Sequence, residues 1–299
     1  MWIHITGELD EGPFIVVFVY EPTRGTDHLR KYYSGFSGTL SCDAYVSYIV
    51  LAKESGGKII LSGCLMHARR RIAEALEIIN ISKLTKEQIE ALPEYQALLL
   101  LGKIYYTEDD LKGLNAQERL ARRQAEVKPY MDKFFTLIES LDPEDPLLSD
   151  KMKDAVTYCR NQKENLYRFL EDGNVPCDNG FAENSIRLYA QGRRNWLFSN
   201  TPNGATASAV IYSLIETARL NRANPLFYIK YLLEKAPSYQ DLPSGSNRLE
   251  ELMPWSEQYR QYEETEKKKV FETQLPESNT KPSYRPSRKG NREKLQAVS

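Results

Sequence analysis

The stretch GTLSCDAYVSYIVLAKESGGKIILS, Gly38–Ser62, reads as strand, helix, strand. Gly38–Cys42 is a short β-rich run that stops at Asp43. Over Ala44–Glu54, Tyr45, Tyr48, Ile49 and Ala52 fall on one side of a helix, and Gly56-Gly57 ends it. Lys58–Ser62 is a second apolar run of strand length. Upstream, Trp2–Thr6 and Pro13–Tyr20 flank the turn Gly7–Gly12 and form a hairpin, and Thr26-Asp27 opens a short helix through Tyr33. The front of the chain is therefore α/β.

The pattern then changes. From Met66 to Asp172 only helical periodicity appears, with Ile72, Ala75, Leu76 and Ile79 in one stripe and Met131, Phe134, Phe135, Ile138 and Leu141 in another. Pro143 and Pro146 punctuate the block, and its last helix, Asp150–Glu171, stops at Gly173. So long a helical block after a mixed sheet reads as an insertion. Asp178-Asn179 supplies cap chemistry for a helix through Ala190, with Ala182, Ile186 and Ala190 inward. A further helix covers Ala205–Leu220. Beyond Pro237 the chain turns polar, and Glu266–Ser299, poor in apolar residues, is expected to be disordered. The expected organisation is a first core segment over 1–64, a helical insertion over 65–173, a second core segment over 174–237 and a largely disordered tail over 238–299.

The bulk composition excludes several classes. Of 299 residues, 41% are hydrophobic and 27% charged, which is ordinary for a globular protein. No apolar run approaches a bilayer span, and Met1–Asp10 lacks the basic and apolar segments of a signal peptide, so a cytoplasmic location is expected. The four cysteines are too dispersed for a disulfide framework. Cys64 and His67 make a C-x-x-H pair, half of a zinc site, but no second pair follows at suitable spacing and zinc is not expected. The glycines lack both the G-x-G-x-x-G and the G-K-[ST] patterns, and no nucleophilic triad is apparent. Net charge is −1, yet residues 184–235 carry seven basic side chains against two acidic ones. With Arg69-Arg70-Arg71, that local excess suits a phosphodiester backbone.

Two acids stand at positions of chemical interest, Asp43 at a strand end and Glu183 on the late helix. Carboxylates so placed can hold divalent cations that activate a water or 3′ hydroxyl and stabilise the leaving oxygen in an in-line attack on phosphorus. Magnesium, a hard cation that keeps several waters, fits such a site. From spacing alone, an i,i+4 ion pair of Glu183 with Arg187 is the better reading, because the chain holds 41 acidic residues and many such pairs.

Longer motifs alter that weighting. Asp178–Arg187 (DNGFAENSIR) and Gly192–Phe198 (GRRNWLF), with Gly63–Arg70 (GCLMHARR) and Ser41–Tyr48 (SCDAYVSY), resemble the signatures of insertion-sequence-66-type transposases. Tyr212–Ala218 (YSLIETA) and Leu252–Trp255 (LMPW) extend the likeness, which runs in order from Trp2 to Trp255. The resemblance implies a ribonuclease-H-like core with an Asp-Asp-Glu triad, a helical insertion before the Glu, and metal-dependent cleavage and transfer of DNA strands at transposon ends. Carried over by position, Asp43 is the second acid and Glu183 the third. Both would serve as catalytic and metal-binding residues for Mg2+ or Mn2+, two ions in a complete site. The first Asp belongs to a strand upstream of the hairpin, and the chain begins at that hairpin. Asp10 lies in the turn and does not replace it. The chain is therefore expected to be a C-terminal part that is inactive alone.

Supporting roles follow. Arg187, Arg193, Arg194, Arg69 and Arg70 are candidate phosphate contacts, since guanidinium pairs bidentately with phosphate. Asp178 and Asn179 could orient the helix start, and capping explains them equally well. Trp196 could stack on a base, although a core role suits a W-L-F run better. His67 could approach the scissile phosphate, although a structural histidine is the plainer reading. The expected partners are transposon-end and target DNA, further copies of the chain and element-encoded accessory proteins, with no membrane. Two alternatives stay open: a non-catalytic DNA-binding or oligomerisation remnant, and a structure-specific nuclease.

Overall fold

The computed structural model describes residues 1–196, 199–243 and 245–274, with backbone alone at 193, 195, 196 and 272–274. Strands β1 (Trp2–Ile5) and β2 (Val16–Val19) form the expected hairpin, antiparallel with Trp2 opposite Val19. Helix α1 (Asp27–Tyr32) leads to β3 (Gly38–Ser41), and α2 (Val46–Glu54) connects it to β4 (Ile59–Ser62). β3 and β4 pair in parallel, Gly38 opposite Ile59 and Ser41 opposite Ser62, as a helical crossover between neighbours requires. Leu29, Cys42, Leu51, Ile59 and Leu61 are the buried residues between this pair and its two helices.

The expected single mixed sheet is not what the described residues form. There are two two-stranded sheets, β1–β2 and β3–β4. A cavity of about 520 Å3 lies between them, with His4, Ile5 and Thr6 of β1 on one wall and Thr39 and Leu40 of β3 on the other. The opposite edge of the hairpin is occupied differently. The N–H groups of Phe14, Val16 and Phe18 donate to Asn221 Oδ1 (3.1 Å), Thr217 Oγ1 (3.0 Å) and Ser213 Oγ (2.8 Å). Two residues of strand rise about 6.6 Å and four of helix about 6 Å, so alternate strand amides match every fourth helical side chain. The helix in question, α11, spans Pro202–Leu220.

The helical block follows as α3 (Leu65–Glu77), α4 (Lys86–Ala91), α5 (Pro93–Leu111), α6 (Ala116–Arg122), α7 (Lys128–Ser140), α8 (Asp150–Asn161) and α9 (Lys163–Tyr167). A π-helical turn, Arg123–Val127, joins α6 to α7. Ile72, Ala75, Met131, Phe134, Phe135 and Ile138, anticipated from periodicity, share one continuous apolar core with Leu101, Ile104, Met152 and Val156, whereas Leu76 and Ile79 of the anticipated stripe are only half-buried. The fully buried Arg123 sits at its edge. Its guanidinium meets Glu108 at 2.6 Å and donates to the carbonyls of Phe169 (2.8 Å), Asp172 (3.0 Å) and Val175 (2.9 Å). One side chain thus binds the block to the segment that re-enters the core.

Helices α10 (Gly180–Trp196), α11 (Pro202–Leu220) and α12 (Pro225–Lys235) complete the second core segment. The stretch after Pro237, expected to be largely disordered, is ordered as far as it is described. It carries a 3-10 turn at Asn247–Leu252 and helix α13 (Glu257–Gln274). Leu252 and the fully buried Tyr259 pack with Ala218, Tyr228 and Tyr231, so the core formed with α11 and α12 crosses the boundary expected at residue 237. Polar composition misled because the anchors are tyrosines and ion pairs: Glu263 and Glu266 are buried against Arg260 (3.2 Å) and Lys230 (2.6 Å). The remainder of that expectation, 275–299, lies outside the described residues.

Candidate active site

β3 ends where Cys42 N–H donates to Ser62 O at 3.0 Å. Two residues later Ala44 takes a left-handed conformation, φ +40°, which side-chain-bearing residues adopt at a cost of about 1–2 kcal/mol. That turn separates the strand from α2 and leaves Asp43 exposed at the sheet end. Strain of this kind gathers at functional sites and motivates attention to Asp43.

The start of α10 brings the second acid to it. Asp178 Oδ1 accepts from Gly180 N–H (2.8 Å), and Asn179 C=O accepts from Glu183 N–H (3.1 Å). A Cβ at position 180 would come 2.7 Å from Met66 Cε on α3, so the methionine end would have to shift to admit a side chain. Helix α10 therefore begins hard against α3, with Glu183 in its first turn, where the positive end of the dipole favours a carboxylate. Asp43 and Glu183 line one cavity of about 470 Å3, walled also by Trp2, Asn179, Ala182 and Ile186.

Glu183 turns to α3. Leu65, Ala68, Ile72 and Ala75 anchor α3 inward and leave His67 and Arg70, three residues apart, on the side of Glu183. His67 Nε2 lies 3.5 Å from Glu183 Oε1, and Arg70 Nη2 lies 3.4 Å from Oε2. Among the described residues no ion pair joins Glu183 to Arg187, the partner that spacing favoured. Arg71 is engaged elsewhere, over the ring of Tyr158 at 4.5 Å. Beneath Glu183, Cys64 Sγ accepts from Asn179 N–H at 3.4 Å. Burial pushes the Cys64 thiol up to about 11, against the opposing pull of the amides of Asn179, His67 and Met66. Burial, then the neighbouring Asp43, pushes Cys42 up to about 12, so both cysteines are thiols at neutral pH.

The other expected site residues are distributed unevenly. Arg187 and Arg194 are exposed on α10 and Arg69 on α3, while the side chains of Arg193 and Trp196 lie outside the described residues. Part of the basic excess is already spent: Arg219 pairs with the buried Glu216 at 2.7 Å, and Lys230 with Glu266. Sequence reasoning missed Cys64 as a neighbour of Glu183. Its ligand-type atom and those of His67 and Glu183 all lie within 4.8 Å of one another, a grouping that only the packing of α10 on α3 creates.

Asp43 and Glu183 both line this cavity and Asp43 is exposed, and carboxylate oxygens are the donors that magnesium takes. No helix among the described residues is long and apolar enough to cross a membrane.

Comparison with known proteins gives the class first: this is a transposase-family chain. It belongs to the IS66 transposase family, whose model matches residues 1–207, with the IS66 C-terminal element matching residues 213–255. The chain is 31% identical to the uncharacterized protein y4qI of Sinorhizobium fredii over 82% of its own length and 43% of the relative's. It is 29% identical to the uncharacterized protein y4hP of the same organism, over 85% of this chain and 46% of that one. The chain thus spans less than half the length of these curated relatives. No solved structure matches it significantly.

Proposed function

We propose that this chain takes part in DNA transposition, with Asp43 and Glu183 as carboxylates of a site for cleavage and transfer of DNA strands at transposon ends. The observation that supports this most is the shared cavity, to which a strand end and a distant helix each contribute an acid. Asp43 and Glu183 would hold Mg2+ or Mn2+, which supplies positive charge to the reacting phosphate oxygens. The remaining roles fall to the chain itself. Arg70 stands ready to exchange its long contact with Glu183 for a phosphate oxygen. Arg187 and Arg194, on the exposed face of α10, track the DNA backbone and set register without reading sequence. A ribonuclease-H-like core, DNA as partner and assembly into oligomers belong to the same proposal.

A second reading has its own support. Both oxygens of Glu183 already have partners, His67 Nε2 and the Arg70 guanidinium, which is how a DNA-binding chain without cleavage activity would hold it. Labelled transposon-end duplex incubated with the protein and Mg2+ or Mn2+ separates these readings. Strand joining that is lost in D43N and in E183Q supports transposition, and cleavage without joining points to a nuclease. Binding without cleavage, equal in wild type and both variants even when an upstream segment carrying the first Asp is supplied, supports the second reading and overturns the first.

A further inference from the structure

We propose that Cys64, His67 and Glu183 form a binding site for a transition-metal cation, zinc foremost, separate in chemistry from the magnesium site above. The C-x-x-H pair lacked a second half in the sequence because the missing donor is a carboxylate from another helix. Sulfur, imidazole nitrogen and carboxylate oxygen together are the donor set of zinc, whereas magnesium takes oxygen ligands alone.

Geometry and surroundings agree. Zinc bonds of about 2.0–2.3 Å place tetrahedral ligands about 3.3–3.8 Å apart, so a grouping within 4.8 Å closes by about 1 Å. His67 and Glu183, 22% and 33% exposed at their side chains, have room for that shift, while Cys64 is fixed in the core. Two buried polar atoms beside the cluster, His67 Nδ1 and Asn179 Oδ1, have no hydrogen-bond partner among the described residues. Cys64 also stands at the N-terminus of the 13-residue α3 and accepts the Asn179 amide, both of which favour a thiolate once a cation is present. Binding exchanges the thiol proton for the metal, and that proton leaves to solvent. Three protein ligands leave a fourth position for water.

The consequence rests on the transposition reading. One Glu183 carboxylate cannot serve both the cysteine–histidine pair and the cavity shared with Asp43, so zinc bound here withdraws Glu183 from the magnesium site and inhibits.

Cobalt(II) titration of the reduced chain, without DNA, tests the site. The expected result is thiolate-to-cobalt absorption in the near ultraviolet with visible bands of a tetrahedral ion, both abolished by added zinc. C64S loses the thiolate band, E183Q and H67Q bind at least about tenfold more weakly, and D43N binds as wild type does. Far-UV circular dichroism of C64S checks that its core has formed, and E183Q, on the surface, carries the test if it has not. No cysteine-dependent band in the wild type, or unchanged affinity in E183Q, overturns the proposal. Because the readout needs no DNA, a chain that never cleaves a transposon end can still pass it.

Discussion

Arg70 Nη2 and Glu183 Oε2 meet at 3.4 Å across 113 residues of chain, on two helices that a glycine at position 180 allows to touch. The pair is half in solvent, so it contributes less than about 1 kcal/mol to stability. R70A is therefore expected to leave the thermal melt nearly unchanged while weakening DNA affinity. A melt lowered by many degrees would assign Arg70 to the fold instead.

Arg187 and Arg194 should behave as backbone contacts. Each alanine variant is expected to weaken binding to unrelated duplexes equally, and to lower the slope of log affinity against log salt by about 0.9 per phosphate lost. Fluorescence anisotropy across a salt series reads this directly. A loss confined to one sequence would mean base recognition.

Asp43 is exposed and follows a strained residue, so its role separates cleanly from folding. D43N should retain the wild-type melt and, with an upstream segment carrying the first Asp supplied, lower metal-dependent cleavage of labelled transposon-end DNA by about a hundredfold or more. A44G should relieve part of the about 1–2 kcal/mol that Ala44 already bears in its left-handed turn and raise stability in urea unfolding, whereas the β-branched A44V should lower it.

How much of this was legible beforehand depends on the range of the interaction. Strand–helix–strand at Gly38–Ser62, the hairpin and the stripes of the helical block follow from local period, and all appear. The bond from Gly180 N–H to Asp178 at the helix start followed from residue type, although Asn179 Oδ1 accepts nothing among the described residues. The neighbours of Glu183 did not, because i,i+4 spacing pointed to Arg187 and only the α3–α10 contact substitutes His67 and Arg70. Ser213, Thr217 and Asn221 were unreadable for a similar reason: four-residue spacing of polar groups on an apolar helix acquires meaning only when a strand edge lies beside it. Helix α13 escaped notice because its buried glutamates count as polar in any composition window.

Arg123 should be the most costly single residue of the helical block. R123M leaves Glu108 buried and unpaired and takes the guanidinium donor from the carbonyls of Phe169, Asp172 and Val175, a loss of about 3–5 kcal/mol in urea unfolding. Replacing Arg123 and Glu108 together by apolar residues should recover part of it. If the single variant costs under about 1 kcal/mol, Arg123 does not tie the block to the core.

His4 predicts how stability responds to acid. Its ring stacks on Tyr32 at 4.0 Å, and its Nδ1 shares a hydrogen bond of 2.7 Å with the Tyr33 hydroxyl. Burial, then the charge of His28, lowers its pKa from 6.5 to about 4. The unfolded chain thus binds a proton that the folded chain refuses between those values. Stability present above pH 6.5 is lost as pH falls toward 4, by up to about 3 kcal/mol from this group. Urea midpoints measured from pH 7 to 4.5 should fall less steeply for H4F than for wild type.

The hydroxyls and amide that α11 lends to β2 also give the hairpin a direction of growth. An uncovered strand edge invites a further strand, and the β2 edge is covered, its alternate amides answered by Ser213, Thr217 and Asn221. The β1 edge opens instead on the cavity that β3 lines from the far side. A segment that enlarges this sheet therefore has the β1 side to join, since α11 already answers the amides of the β2 rim. The helix acts as a selvedge, finishing one border of the weave so that the other remains the place for more thread.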